Sequence, residues 1–173
     1  MTASHRFVYM SAAHARLVTC AVLVSLLVLP LHAIERRPLP DFAISALDGT
    51  AVTSAALVTP GQWLLVYVQL GCSSCDTLIQ AVADEQGDLA RHMVVVIGGV
   101  DAAAAAKLAG AFPTLSAARW YADPARSLAD VLSASGAPVV YGLRENMLEW
   151  SLIGVVPDEA AYKTALVSWV SPR

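Results

Sequence analysis

Apolar residues in this chain follow two alternating rhythms, short unbroken runs and stretches spaced at three and four. Trp63-Leu64-Leu65-Val66-Tyr67-Val68-Gln69-Leu70 is nearly all apolar and rich in β-branched and aromatic side chains, as a strand buried on both faces would be. Gly71 punctuates it. From Asp76 onward Leu78, Ile79, Val82 and Leu89 recur at helical spacing, so a helix is expected to about Leu89. Met93 to Val100 is a second run short enough for a buried parallel strand. Asp101 is placed to cap an alanine-rich helix through Lys107 to Ala109. Ala118 to Ala122 reads as a weaker strand closed by Asp123-Pro124. Arg126 to Ser135, carrying Leu128, Val131 and Leu132, reads as a helix that Gly136 ends.

Two hairpins bracket these elements. Asp41 to Leu47 alternates in part, meets the turn signal Asp48-Gly49 and returns over Thr50 to Thr53. Val58 to Gly61 ends a short helix or turn. Pro138 to Leu143 and Leu148 to Val155 are strands joined through Glu145-Asn146, and Pro157 opens a last amphipathic helix with Tyr162, Ala165, Leu166 and Trp169 on one side. The order is hairpin, strand, helix, strand, helix, strand, helix, hairpin, helix. That alternation predicts one α/β domain, a sheet with helices on both faces and an antiparallel end.

The N-terminus is different. Leu17 to Leu31 is an apolar run preceded by Arg6 and Arg16 and followed by His32-Ala33, the layout of a secretory signal. It is shorter than the ~20 residues that span a bilayer, and Pro30 fits a helix break before a cleavage site. Residues 1–33 are therefore read as a signal peptide cut after Ala33, or else as a retained membrane anchor, 34–40 as a linker and 41–173 as the folded domain. In either case the domain is exported, to the periplasm or the outer face of the cytoplasmic membrane, where disulfides persist. Without the leader, 9 Lys and Arg face 14 Asp and Glu, a net −5, with two lysines and no basic run. Nucleic-acid binding has no electrostatic footprint here.

The candidate chemistry is Cys72-Ser73-Ser74-Cys75. At the start of the expected helix, orphan N–H groups and the helix dipole favour an anion, which makes a thiolate nucleophile of an N-terminal cysteine. Cys72 is placed to attack and Cys75 to resolve. A structural zinc site needs four protein ligands; the third cysteine, Cys20, belongs to the leader, and His92 is the single histidine after it. No metal is expected. A structural disulfide across so short a loop would remove little entropy from the unfolded chain. Redox chemistry by the cysteine pair itself, with no cofactor, is the favoured reading.

With Cys72 and Cys75 at the first major strand-to-helix junction, the chain resembles thioredoxin-fold proteins, and among them the exported TlpA-type thiol-disulfide oxidoreductases. Pro40-Asp41-Phe42-Ala43-Ile44 with Leu47-Asp48-Gly49 is similar to the opening hairpin of the redoxin branch, and Ala137-Pro138, directly before the last hairpin, to the place of the family's cis-proline. The resemblance covers most of residues 38–171. It implies a thioredoxin-like α/β fold, a central mixed sheet flanked by helices with an extra N-terminal β-hairpin. It also implies exchange with cysteine-containing protein substrates and a redox partner in the membrane or envelope. Ala137, Pro138 and Gly71 would then contact substrate: a cis X-Pro bond is a fixed turn, and the Ala137 backbone would pair with an extended segment. Pro138 opening an edge strand in trans is the alternative.

The sequence departs from that pattern in three places. Gly71 stands where thioredoxins usually have tryptophan. Ser73-Ser74 replaces a proline-containing dipeptide; its hydroxyls could donate to a thiolate, but neither potential nor direction of electron flow follows from them. The family's buried carboxylate near the second cysteine has no counterpart, since the corresponding positions are Val66 and Leu78, and Asp76 reads as a solvated first-turn residue. A peroxiredoxin would carry threonine three residues before the reactive cysteine, where this chain has Gln69. Two readings remain: an oxidoreductase, with apocytochrome c maturation or envelope redox homeostasis as its setting by analogy, and a thioredoxin-like binding or copper-delivery module, since soft thiolates select Cu(I).

Overall fold

The computed structural model describes residues 36–84, 88–134, 136–154 and 159–171. The expected leader and its cleavage site, and Pro157 at the start of the last helix, lie outside them. The strands are β1 (Arg37–Pro38), β2 (Ala43–Ala46), β3 (Ala51–Thr53), β4 (Gln62–Gln69), β5 (Met93–Gly98), β6 (Arg119–Asp123), β7 (Val139–Arg144) and β8 (Met147–Ile153). The helices are α1 (Ser73–Ala83), α2 (Ala102–Gly110), α3 (Ser127–Leu132) and α4 (Glu159–Val170). One mixed sheet takes the order β1-β8-β7-β4-β5-β6-β2-β3.

β4 is central because its residues are apolar on both faces. It pairs parallel with β5, Val66 opposite Val95, and antiparallel with β7, Val66 opposite Val140. Its side chains alternate between two cores. Leu64, Val66 and Val68 face Leu78, Ile79 and Val82 of α1 with Tyr162 and Leu166 of α4. Trp63, Leu65 and Tyr67 join Phe42, Ile44, Tyr141 and, from α3, Leu128 and Leu132. Side chains of this size each contribute about 1.5–3 kcal/mol when fully buried. The β2–β3 hairpin joins the same sheet, for β2 pairs antiparallel with β6, Ser45 opposite Ala122.

Three boundaries differ from the sequence expectation. The helix after the cysteines ends at Ala83, not near Leu89: the Asp84 N–H closes it on the Gln80 and Val82 carbonyls, and Leu89 is buried from a separate 3-10 turn, Asp88–His92. α3 is shorter than 126–135 because left-handed residues, Arg126 (φ 57°) and Ser133 (φ 54°), bound it. The segment read as a linker contributes β1, whose Arg37 and Pro38 pair with Leu148 and Met147.

Candidate active site

β4 carries the chain to the end of the sheet and Gly71 turns it. Gly71 has φ +74° and nothing within 4 Å of where a Cβ would stand, so its face is open to solvent. Cys72 is the N-cap of α1, in extended conformation (φ −96°, ψ 103°). That places one sulfur at the mouth of the helix and the other in its first turn. Cys72 is half-buried, whereas Cys75 is 2% exposed and packs in the core with Val66, Leu78 and Ile79. The two form a disulfide with Cα atoms 5.2 Å apart.

Two backbone groups flank the Cys72 sulfur. The Cys75 N–H donates to it at 3.1 Å, so negative charge there, once the disulfide opens, meets an oriented donor and the positive end of α1. The Ala137 carbonyl oxygen lies 3.5 Å from it, although 65 residues away in sequence. β7, antiparallel to β4, begins at this end of the sheet and so brings that carbonyl in. The Ala137–Pro138 peptide is cis, Pro138 is buried, and the Pro138 carbonyl accepts the Gly154 N–H at 2.8 Å.

The structure thus brings Gly71, Cys72, Cys75, Ala137 and Pro138 together. Ser73 and Ser74 are exposed and neither hydroxyl bonds the sulfur; the donor is the Cys75 main chain, one of the orphan N–H groups expected at the start of the helix. Val66 and Leu78, the positions weighed for a buried acid, are apolar core residues beside Cys75, and Asp76 is exposed. His92 lies at the other end of β4, its Nδ1 3.2 Å from the Gln62 carbonyl oxygen, too far along the strand to share a ligand set with the cysteines.

No protein-family model matches the chain, and no curated protein matches it by sequence. Solved structures do. A Chlorobium tepidum protein described as a thiol:disulfide interchange protein DsbE superposes with a TM-score of 0.60 at 19% identity, over 80% of this chain and 99% of that one. The exposed lipoprotein thioredoxin Etrx1 of Streptococcus pneumoniae gives 0.54 at 18% identity, over 75% and 99%. A secreted Mycobacterium tuberculosis disulfide oxidoreductase, homologous to E. coli DsbE, gives 0.59 at 12% identity, over 73% and 95%. With its mixed sheet, its cysteine pair at the head of α1 and these likenesses in three dimensions, the chain has the thioredoxin fold.

Proposed function

We propose that this protein is an exported thiol-disulfide oxidoreductase that exchanges disulfides with cysteine-containing proteins of the envelope, with cytochrome c maturation or general redox homeostasis as its setting. One observation carries the reading: a half-exposed sulfur at a helix N-cap, bonded to a buried sulfur one turn on. A substrate thiolate attacks Cys72 Sγ, the Cys72–Cys75 bond breaks, and Cys75 leaves with the electron pair and takes a proton. A second substrate thiolate then attacks the substrate sulfur of the mixed disulfide, releasing Cys72. The substrate becomes a disulfide and the protein a dithiol, two electrons having passed. In reverse, Cys72 attacks a substrate disulfide and Cys75 resolves the intermediate. Ala137 and Pro138 hold the substrate backbone beside the sulfur, and a membrane or envelope partner resets the pair. Export is supported by the leader pattern and by the secreted and exposed character of two structural neighbours.

Cys75→Ser is expected to accumulate a mixed disulfide with substrate and Cys72→Ser to accumulate none, read on non-reducing gels. Faster alkylation of Cys75 than of Cys72 in the reduced protein would reverse the assignment. Tight Cu(I) binding with sluggish exchange would favour the copper-delivery reading.

A further inference from the structure

The end of the sheet away from the disulfide carries a cavity of about 630 Å³. It lies where β4 begins and where the β7–β8 turn, Glu145-Asn146, comes back beside it. The eight residues of β4 put about 25 Å between this end and the one that leads to Cys72. Hydrogen bonds join its walls: the Leu39 N–H donates to the Asn146 carbonyl at 2.7 Å, the Glu145 N–H to the Gly61 carbonyl at 2.8 Å, and Trp63 Nε1 to the Glu145 carbonyl at 2.7 Å. The cavity is therefore formed without a ligand, and its volume is that of a small-molecule site.

Leu39, Val58 and Pro60 give it an apolar wall. Asp41 and Glu145 line it as well, and among the described residues neither carboxylate has a hydrogen-bond or ion-pair partner. Ser54, on the same wall, is 2% exposed. Its Oγ accepts the Phe42 N–H at 3.4 Å, which leaves a second lone pair free and its proton without an acceptor among the described residues. A buried hydroxyl used on one side only is a polar contact that a ligand can complete. Arg119 does not line the cavity, and its Nη2 is committed to the Leu57 carbonyl at 2.7 Å and to the Thr59 hydroxyl, so the two carboxylates stay unneutralised. They repel anions, while the apolar wall beside them suits an alkyl stem.

We propose that this cavity is a binding site for a small aliphatic amine: its ammonium group lies between Asp41 and Glu145 and donates to the Ser54 hydroxyl, and its alkyl chain covers Leu39, Val58 and Pro60. The site is separate from the cysteine pair and does not depend on the redox chemistry.

The test titrates the oxidised, 15N-labelled full chain with n-pentylammonium chloride and with 1-pentanol, read by backbone amide shifts. Pentylammonium should move the amides of Asp41, Ser54, Val58 and Glu145 saturably, with a Kd on the order of 1 mM, and leave those of Gly71 to Cys75 in place. Pentanol, with the same stem and no charge, should bind about fivefold more weakly, and added salt should narrow the difference. Asp41→Asn with Glu145→Gln should remove the preference for the ammonium, whereas Asp130→Asn, an exposed acid outside the cavity, should not; unperturbed amides elsewhere check that the fold is kept. Equal affinity for the two compounds, shifts that do not saturate, or a preference that survives the double substitution would overturn the proposal. An acetylated Gly-Lys-Gly peptide should bind more weakly than pentylammonium; tighter binding by it would overturn the free amine as the occupant in favour of a partner's lysine. Thiol-disulfide exchange is measured separately, so failure here leaves the oxidoreductase reading as it stands.

Discussion

Cys72 and Cys75 carry the same side chain and differ because α1 begins between them. The first sulfur meets an N–H and open solvent, the second a wall of Val66, Leu78 and Ile79. Asp123 is a second residue whose burial gives it a role. It is fully buried at the end of β6, and its carboxylate accepts the Ser127 N–H at 2.8 Å, the Ser127 hydroxyl at 3.0 Å and the Leu128 N–H at 2.9 Å. Those are first-turn donors of α3, which its left-handed N-cap residue Arg126 does not cap with its side chain. Asp123→Ala would strand buried donors and is expected to cost about 2–4 kcal/mol in urea unfolding. A loss under ~1 kcal/mol would mean that water replaces the carboxylate.

Between elements, one close fit lies where β7 meets β8. The register passes from Gly142 opposite Trp150 to Leu143 opposite Leu148, leaving Glu149 as the bulge residue, held by Arg36 and by Arg144 Nε at 3.1 Å. The Trp150 indole crosses Gly142 so closely that a Cβ there would stand 2.0 Å from its Cε2 atom. Trp150 meets the Trp169 ring edge-on at 5.5 Å, and Trp169 Nε1 donates to the Trp63 carbonyl at 3.2 Å, so the indole has little room to retreat. Gly142→Ala is expected to destabilise the domain by about 1–3 kcal/mol in thermal or urea unfolding. Adding Trp150→Ala should recover less than additive loss, because the clash is then gone. Strict additivity would refute the packing account.

For the whole molecule, burial of three tyrosines sets an alkaline limit. Burial pushes the Tyr67 phenol up, Tyr141 up to about 12, and Tyr162 still further, Tyr162 having no hydrogen-bond partner among the described residues. A phenol with a raised folded-state value favours the native state below its unfolded value, near 10, and loses that contribution as pH rises through the folded value. Stability should therefore hold up to about pH 9 and fall between about 10 and 12, by about 2 kcal/mol at pH 12 for Tyr141 alone. Tyr141→Phe should flatten the fall. Tyr162→Phe should do so at no cost near neutrality, since it removes an unpartnered hydroxyl from an apolar core. An unchanged alkaline slope in both variants would contradict this assignment.

Much of this architecture was legible in the chain by itself. Apolar runs and three-four spacing are local, so the order of strands and helices, the Asp101 cap (which accepts the Ala104 N–H at 2.8 Å) and the cysteine pair at a helix start could be read directly. The two-faced apolar run of β4 likewise placed it inside the sheet. What tertiary structure alone decided depends on pairings between distant residues, which no period encodes. The spacing that includes Leu89 is indifferent to the helix break at Asp84. Arg37 and Pro38 are a strand only because β8 leaves an edge for them. The Ala137 carbonyl reaches Cys72 only because β7 runs back against β4. Propensity acts over a few residues, whereas a site is assembled by the packing that makes remote residues neighbours.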